Sequence, residues 1–268
     1  MTRRAPQDVV EGIAAAVGAG SPLLLLSDFD GTLSPTVEYP GMARMLGAAR
    51  GGLVRIAARQ GCHVGIVSGR SLADLAGILG MPARFLAGSG GLELLCDGRR
   101  LVPPGWREAK AFIVSVVEDV RAKVAGIEGV WVEPKGCALT IHHRNASPSA
   151  ERAVREIAVD VARRHPRRCR VIEGLLGIEI TAFPKRDKSS AVRFFRGQAG
   201  GARVRLCYCG NDGNDAPAMA FVNACGGWSL GVGPAAPSEA NCLLPDAEAL
   251  SVFLATLADA IERQPPHQ

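Results

Sequence analysis

Asp28 and Asp30 stand two residues apart in Asp28-Phe29-Asp30-Gly31-Thr32-Leu33, one residue after the apolar run Leu23-Leu24-Leu25-Leu26. At the polar end of a buried strand, residues i and i+2 point the same way, and the following Gly31 lets the chain turn sharply aside. Two carboxylates so placed can divide labour. One can attack phosphorus while the other trades a proton with the leaving or attacking oxygen, and a shared Mg²⁺ would hold the charges together. Taken alone the stretch also suits an ordinary Asp-Gly turn.

Three further segments could join this pair. Ser68-Gly69-Arg70 follows a second apolar run, 62–67, where a hydroxyl and backbone N–H groups at a helix start can hold phosphate oxygens. A plain helix cap would use the same residues. Lys188 precedes a helical pattern and offers a point charge for a phosphoryl group, although a solvated lysine reads the same way. Gly210-Asn211-Asp212-Gly213-Asn214-Asp215 closes a third strand-like run with carboxylates and amides suited to a hard, oxygen-liking cation, or simply to a turn.

These segments need a scaffold that brings chain positions 28, 68, 188 and 212 to one place. Strand patterns at 23–26, 62–67 and 204–208 alternate with helical patterns at 41–60 and 71–79, which predicts a doubly wound, mostly parallel α/β sheet. In such sheets ligands bind beyond the carboxyl ends of the strands, so residues following each run should face one crevice. Between 100 and 183 the rhythm changes to helices at 106–124 and 149–164 and strands at 130–134, 138–143, near 171 and at 178–181. The expectation is a core of 1–99 and 184–268 with an inserted α+β cap of 100–183, the unit that would set substrate specificity.

Composition narrows the functional classes. The 268 residues carry 31 Lys and Arg against 26 Asp and Glu, a net charge of +5, with 5% aromatics. That favours anionic small molecules but lacks the basic stripe with stacking aromatics of a nucleic-acid binder. Arg163-Arg-His-Pro-Arg-Arg-Cys-Arg is read as a solvated helix end and turn, since no aromatic interleaves it. No apolar run approaches the ~20 residues of a membrane span, and no secretory leader pattern opens the chain. Eight cysteines without metal-ligand spacing read as reduced thiols, so a cytoplasmic location is expected.

In this order the four segments resemble the signature of the haloacid dehalogenase (HAD) superfamily. Within it the chain is similar over nearly its whole length to trehalose-6-phosphate phosphatases, through Asp28-Phe-Asp-Gly-Thr-Leu-Ser-Pro-Thr-Val, Ser68-Gly-Arg, Ala87-Gly-Ser-Gly-Gly-Leu-Glu, Glu133-Pro-Lys135 with His142-His-Arg144, and Glu179-Ile. The resemblance implies a HAD-like core and hydrolysis of trehalose 6-phosphate. Asp28 would be the nucleophile and Asp30 the acid and base. Ser68 and Lys188, with Gly31, Thr32, Gly69 and Arg70, would hold the phosphoryl group. Mg²⁺ would be bound by Asp28, Asp30 and either Asn211 or Asp212, and Asp215 would orient Lys188 or a metal-bound water. Glu133, Lys135, His142, Arg144 and Glu179 would read the sugar.

The chain departs from the family pattern at Asn211, where a carboxylate is usual, and at Gly90, Ala182 and Ser189, where histidine, arginine and glycine are usual. Two rival readings therefore stand beside the first: a HAD phosphatase for another sugar phosphate, such as a mannosyl- or glucosyl-phosphoglycerate or a hexose phosphate, and a sugar-phosphate sensor without catalysis. The expected partners are a small sugar phosphate and a trehalose-phosphate synthase in the same pathway, with no nucleic acid and no membrane.

Overall fold

The computed structural model describes residues 3–174 and 177–265. In chain order its elements are α1 (Pro6–Gly18), β1 (Leu23–Ser27), α2 (Gly47–Ala58), β2 (Cys62–Val67), α3 (Leu72–Ile78), β3 (Phe85–Gly88), β4 (Glu93–Cys96) and β5 (Arg99–Leu101). Then come α4 (Trp106–Val124), β6 (Trp131–Pro134), β7 (Ala138–His142), α5 (Pro148–Arg164), β8 (Arg170–Gly174) and β9 (Gly177–Thr181). The chain continues with α6 (Lys188–Gln198), β10 (Arg205–Gly210), α7 (Ala216–Ala224), β11 (Trp228–Val232), β12 (Cys242–Leu244) and α8 (Ala247–Glu262). It divides into two compact units, one of 1–101 with 187–268 and the other of 102–186.

The first unit is built on an eight-stranded sheet of order β12-β11-β10-β1-β2-β3-β4-β5. β12 through β3 run parallel, and β4 and β5 add an antiparallel end. Every residue of β1 is buried, because the strand has covered neighbours on both faces. Leu23 and Leu25 pack with residues of α1, α2 and α8, while Leu24 and Leu26 pack with Ala191, Val192 and Phe195 of α6 and Met219 and Val222 of α7. Each such leucine stabilises the fold by roughly 1.5–3 kcal/mol. The order of the chain reverses at β1, which lies between β2 and β10, so the carboxyl end of β1 is a topological switch point.

Two local expectations shift. The helix predicted over 41–60 begins only at Gly47, after a 3-10 turn at Pro40–Met42, because Pro40 and Gly41 interrupt regular helix there. The helix after Ser68-Gly-Arg is capped not by Ser68 but by Ser71, whose hydroxyl accepts the Asp74 N–H at 3.1 Å.

The second unit is a four-stranded antiparallel sheet, β6-β7-β9-β8, with α4 and α5 on one face. Leu139, Ile141, Ile178 and Ile180 point at those helices and are fully buried. Strand alternation puts Trp131, Glu133, Thr140, His142 and Glu179 on the opposite face, where the register sets Glu133 beside Thr140 and Thr140 beside Glu179.

Candidate active site

Asp28 follows β1 directly and extends its pairing, since the Asp28 N–H donates to the Cys209 carbonyl at 2.8 Å. That bond sets the end of β1 beside the 210–215 loop at the end of β10. Gly31, at φ +76°, then turns the chain back. Gly210 is required for another reason: a Cβ there would lie 2.3 Å from the Asp215 carboxyl carbon, so the carboxylate packs against bare backbone.

The ammonium of Lys188, at the start of α6, lies 3.1 Å from Asp28 Oδ1 and donates to Asp215 Oδ1 at 2.7 Å. Asp215 is completely buried and accepts three more hydrogen bonds, from the Tyr208 hydroxyl at 2.7 Å and from the backbone N–H groups of Asn211 and Asp212 at 2.9 and 3.3 Å. Burial works against the charge of Lys188, but Asp215, Asp28 and Asp212 outweigh it and drive its pKa up, so the side chain is cationic. Burial raises the pKa of Asp28 well above the usual carboxylate range. Lys188 opposes that rise, and Asp215, Asp212 and Asp30 add to it. Three aspartates, at 28, 212 and 215, thus share one lysine, a formal deficit that one divalent cation would neutralise.

The donor set fits such a cation. A terminal atom of the Asn211 amide lies 3.1 Å from the Asp30 carbonyl oxygen and 3.2 Å from Asp28 Oδ2. With its nitrogen turned inward the amide bonds both oxygens; with its oxygen inward, three oxygens converge. Octahedral Mg²⁺ at ~2.1 Å from its ligands needs oxygen separations of about 3 Å. Among the described residues no cluster of three or more His, Cys, Asp or Glu side chains forms a metal cage. Carbonyl and amide oxygens would therefore complete the shell, which suits a hard cation better than zinc. The Asp212 side chain accepts the Asn214 N–H at 2.9 Å through one oxygen and caps the turn at Gly213–Asp215, while its charge also acts on Asp28 and Lys188. The Thr32 hydroxyl donates to the Asn211 amide oxygen at 3.3 Å.

Ser68 follows β2, the neighbour of β1, is fully buried, and its hydroxyl accepts the Arg70 N–H at 3.2 Å. A Cβ at Gly69 would meet nothing within 4 Å. Arg70, expected beside the phosphoryl group, is bonded here to the second aspartate of the pair. Its guanidinium bonds both carboxylate oxygens of Asp30, at 2.7 and 2.6 Å, together with Asp74 at 2.8 Å and the Pro40 carbonyl. Burial opposes its charge, yet the bonds to Asp30 and Asp74 win and push its pKa further up. The reason is local: Asp74 sits one helical turn on, and the Pro40 turn presents a carbonyl, so the guanidinium is satisfied before any ligand arrives.

In the second unit the structure gathers Glu133, Lys135 and His142. Glu133 Oε2 lies 2.7 Å from His142 Nε2 and 3.3 Å from Lys135 Nζ. Burial raises the Glu133 pKa, but the bonds to His142 and Lys135 dominate and bring it from 4.5 to about 2. Glu179 shares their sheet face through Thr140, and Arg144 lies two residues beyond β7. Trp131, which the sequence reading passed over, stacks on His142 with centroids 4.5 Å apart and planes 12° from parallel. Tyr208 and Asp74 were also missed. Tyr208 reads as one more apolar residue of a buried strand, and Asp74 as a surface helix residue.

The model of the trehalose-phosphatase family matches residues 26–232 of the chain. The chain belongs to that family. It is 33% identical over 210 residues to the trehalose-phosphate phosphatase of Mycobacterium avium strain 104, a match covering 76% of this chain and 52% of the relative. The chain therefore spans about half the length of the curated relatives it matches. Its fold is similar to the C-terminal domain of Candida albicans trehalose-6-phosphate phosphatase, with a TM-score of 0.78 at 21% identity over 93% of this chain and 96% of that one. A phosphatase of the HAD superfamily from Bacteroides thetaiotaomicron aligns with a TM-score of 0.58 at 16% identity, over 91% of this chain and 97% of the other. The chain thus has the doubly wound α/β core that its strand and helix pattern predicts, in the HAD-like form that the resemblance implies.

Proposed function

We propose that the chain is a Mg²⁺-dependent phosphatase that converts trehalose 6-phosphate to trehalose and phosphate through an aspartyl phosphate on Asp28. The observation that carries this reading is the buried Asp28 at the switch point, 3.1 Å from a lysine fixed by Asp215. Membership of the trehalose-phosphatase family supports the choice of substrate.

In this reading an Asp28 oxygen forms a bond to phosphorus as the bond from phosphorus to the sugar oxygen breaks, and Asp30 gives its proton to that departing oxygen. Water then attacks phosphorus, Asp30 takes a proton from it, and the bond from Asp28 to phosphorus breaks, which releases phosphate and restores both carboxyl groups. Lys188 and Ser68, with the backbone of Gly31, Thr32 and Gly69, would hold the phosphoryl oxygens. Asp28, the Asp30 carbonyl and Asn211 would hold the cation, which when bound supplies positive charge to offset that of the phosphoryl group. Glu133, Lys135, His142, Arg144 and Glu179 would read sugar hydroxyls, because paired donors and acceptors suit a polyol.

Among the described residues no helix is long and apolar enough to cross a membrane, and all eight cysteines are free. In this reading the phosphatase works in the cytoplasm and is fed by a trehalose-phosphate synthase. The test is phosphate release from trehalose 6-phosphate with Mg²⁺, lost in Asp28→Asn while binding persists. Turnover of a different sugar phosphate alone would replace the substrate, and binding without release in the parent protein would make it a sensor.

A further inference from the structure

We infer that Trp131 is a further sugar-binding residue: its indole, held parallel to the His142 ring, offers its outer face to a pyranose ring of the substrate, so that ring shape is read as well as hydroxyl positions. The inference rests on the proposal above that this sheet face binds the sugar, and it deepens that proposal.

Trp131 stands on β6, the outer strand of the β6-β7-β9-β8 sheet, directly across from His142 on β7. Both helices of the unit pack on the other face, so neither covers the indole. The two rings stack across the strand pair, which turns the second face of the indole away from β7 and past the sheet margin, where no further strand lies. Among the described residues His142 is the only ring stacked on Trp131, whose side chain is half-buried.

The plane of the indole is set in advance. His142 Nε2 lies 2.7 Å from Glu133 Oε2, and Lys135 Nζ lies 3.3 Å from the same oxygen. The side chains of His142 and Lys135 are 12% and 11% exposed, so packing and this bond fix the imidazole, and the indole stacked on it is fixed with it. A surface ordered before its ligand arrives loses little freedom on binding. Both partners of Glu133 use Oε2. Oε1 therefore keeps its lone pairs, on a carboxylate that is 36% exposed, and can accept from a ring hydroxyl beside the platform.

A pyranose is polar at its rim and apolar on its C–H faces, and an aromatic face next to a carboxylate meets both. An aromatic cross-strand pair also steadies a hairpin. That role alone would lower thermal stability in a variant and leave sugar affinity where it was.

The test uses Asp28→Asn protein, which should hold trehalose 6-phosphate without turnover, and follows binding by calorimetry and by tryptophan emission. Trehalose 6-phosphate should shift the emission, and the shift should vanish when Trp131→Phe is added, although calorimetry still shows binding within about 3-fold because a ring remains. Trp131→Leu should weaken binding of trehalose 6-phosphate about 10-fold, and binding of inorganic phosphate, which has no ring to stack, by a smaller factor. Trp131→Phe keeps an aromatic pair with His142, so its emission result decides the matter even if Trp131→Leu fails to fold. An emission shift that survives Trp131→Phe comes from Trp106 or Trp228 and overturns the role. So does the lack of any shift in the Asp28→Asn protein, equal weakening of both ligands, or unchanged sugar affinity in Trp131→Leu. Phosphate release by the parent protein is measured alongside. Its absence refutes the phosphatase reading while the binding results still decide Trp131, and its presence with any of the overturning results refutes Trp131 alone.

Discussion

Replacing Asp215 by asparagine should weaken the first unit far more than a one-atom change suggests. The carboxylate accepts Lys188 and Tyr208 on Oδ1 and two backbone N–H groups on Oδ2, and it has no solvent access. An amide keeps one acceptor oxygen, so one pair of donors must face an NH₂ group instead. The charge that balances a buried ammonium is lost as well. Breaking a buried pair from one side costs about 3–5 kcal/mol. With a urea slope near the upper end of about 1–3 kcal/mol per M, the unfolding midpoint should fall by about 1–2 M. Tyr208→Phe removes one hydrogen bond to a charged acceptor and should cost about half as much, near 1.5–3 kcal/mol. The double variant Asp215→Asn with Lys188→Met should be less destabilised than the two single changes added together, because the uncompensated ammonium is gone. Urea titrations followed by circular dichroism compare the parent with Asp215→Asn, Tyr208→Phe, Lys188→Met and the double variant. A shift below about 0.2 M for Asp215→Asn, a change of the size seen at ordinary surface positions, would refute the account of a tightly coupled buried network.

Acid should act on the second unit through Glu133. Its folded pKa, near 2, lies below the 4.5 of the free group, so its stabilising contribution is complete above pH 4.5 and disappears as pH falls toward 2. Solvent reaches this carboxylate, so the contribution is held to about 1 kcal/mol or less, and Glu133→Gln should flatten the dependence of thermal unfolding on pH between 4.5 and 2. Gly31→Ala should weaken Mg²⁺ binding measured by calorimetry at least 10-fold, because the new Cβ would lie 2.3 Å from the Asn211 amide nitrogen on a backbone at φ +76°; an unchanged affinity would remove Asn211 from the cation site. Chelation by EDTA should abolish phosphate release and added Mg²⁺ should restore it, whereas activity that survives exhaustive chelation would exclude the metal.

The parts of the site that sequence could reveal are those fixed by strand position. Four consecutive leucines followed by Asp28 mark a strand buried on both faces, and its carboxyl end is where ligands bind whatever the loops do. Lys188 was legible as a candidate charge, but its reach to Asp28 was not, because that depends on α6 packing over β1. The direction of the Arg70 side chain was not legible at all. It depends on Asp74 and on a turn thirty residues upstream, and neither has a periodic signature. Sequence spacing does not tell neighbouring Asn211 and Asp212 apart, because the amide beside Asp28 and the carboxylate that caps the next turn are set by backbone geometry. The strands β3, β4, β5 and β12 span only three or four residues each, too short for alternation to register.

The central strand is paired on one side with an element that the ribosome makes much later. β1 ends at Ser27 and β10 begins at Arg205, so at about 5–20 residues per second the partner emerges roughly 10–35 s behind it. Throughout that interval the nascent chain has Asp28 without Asn211 or Asp215, for most of it without Lys188 as well, and one edge of β1 stays open. The 102–186 unit is a continuous stretch that can fold within the same interval. The site around Asp28 is therefore incomplete until β10 and the 210–215 loop have been made, and a chain cut short before β10 would be prone to edge-to-edge association.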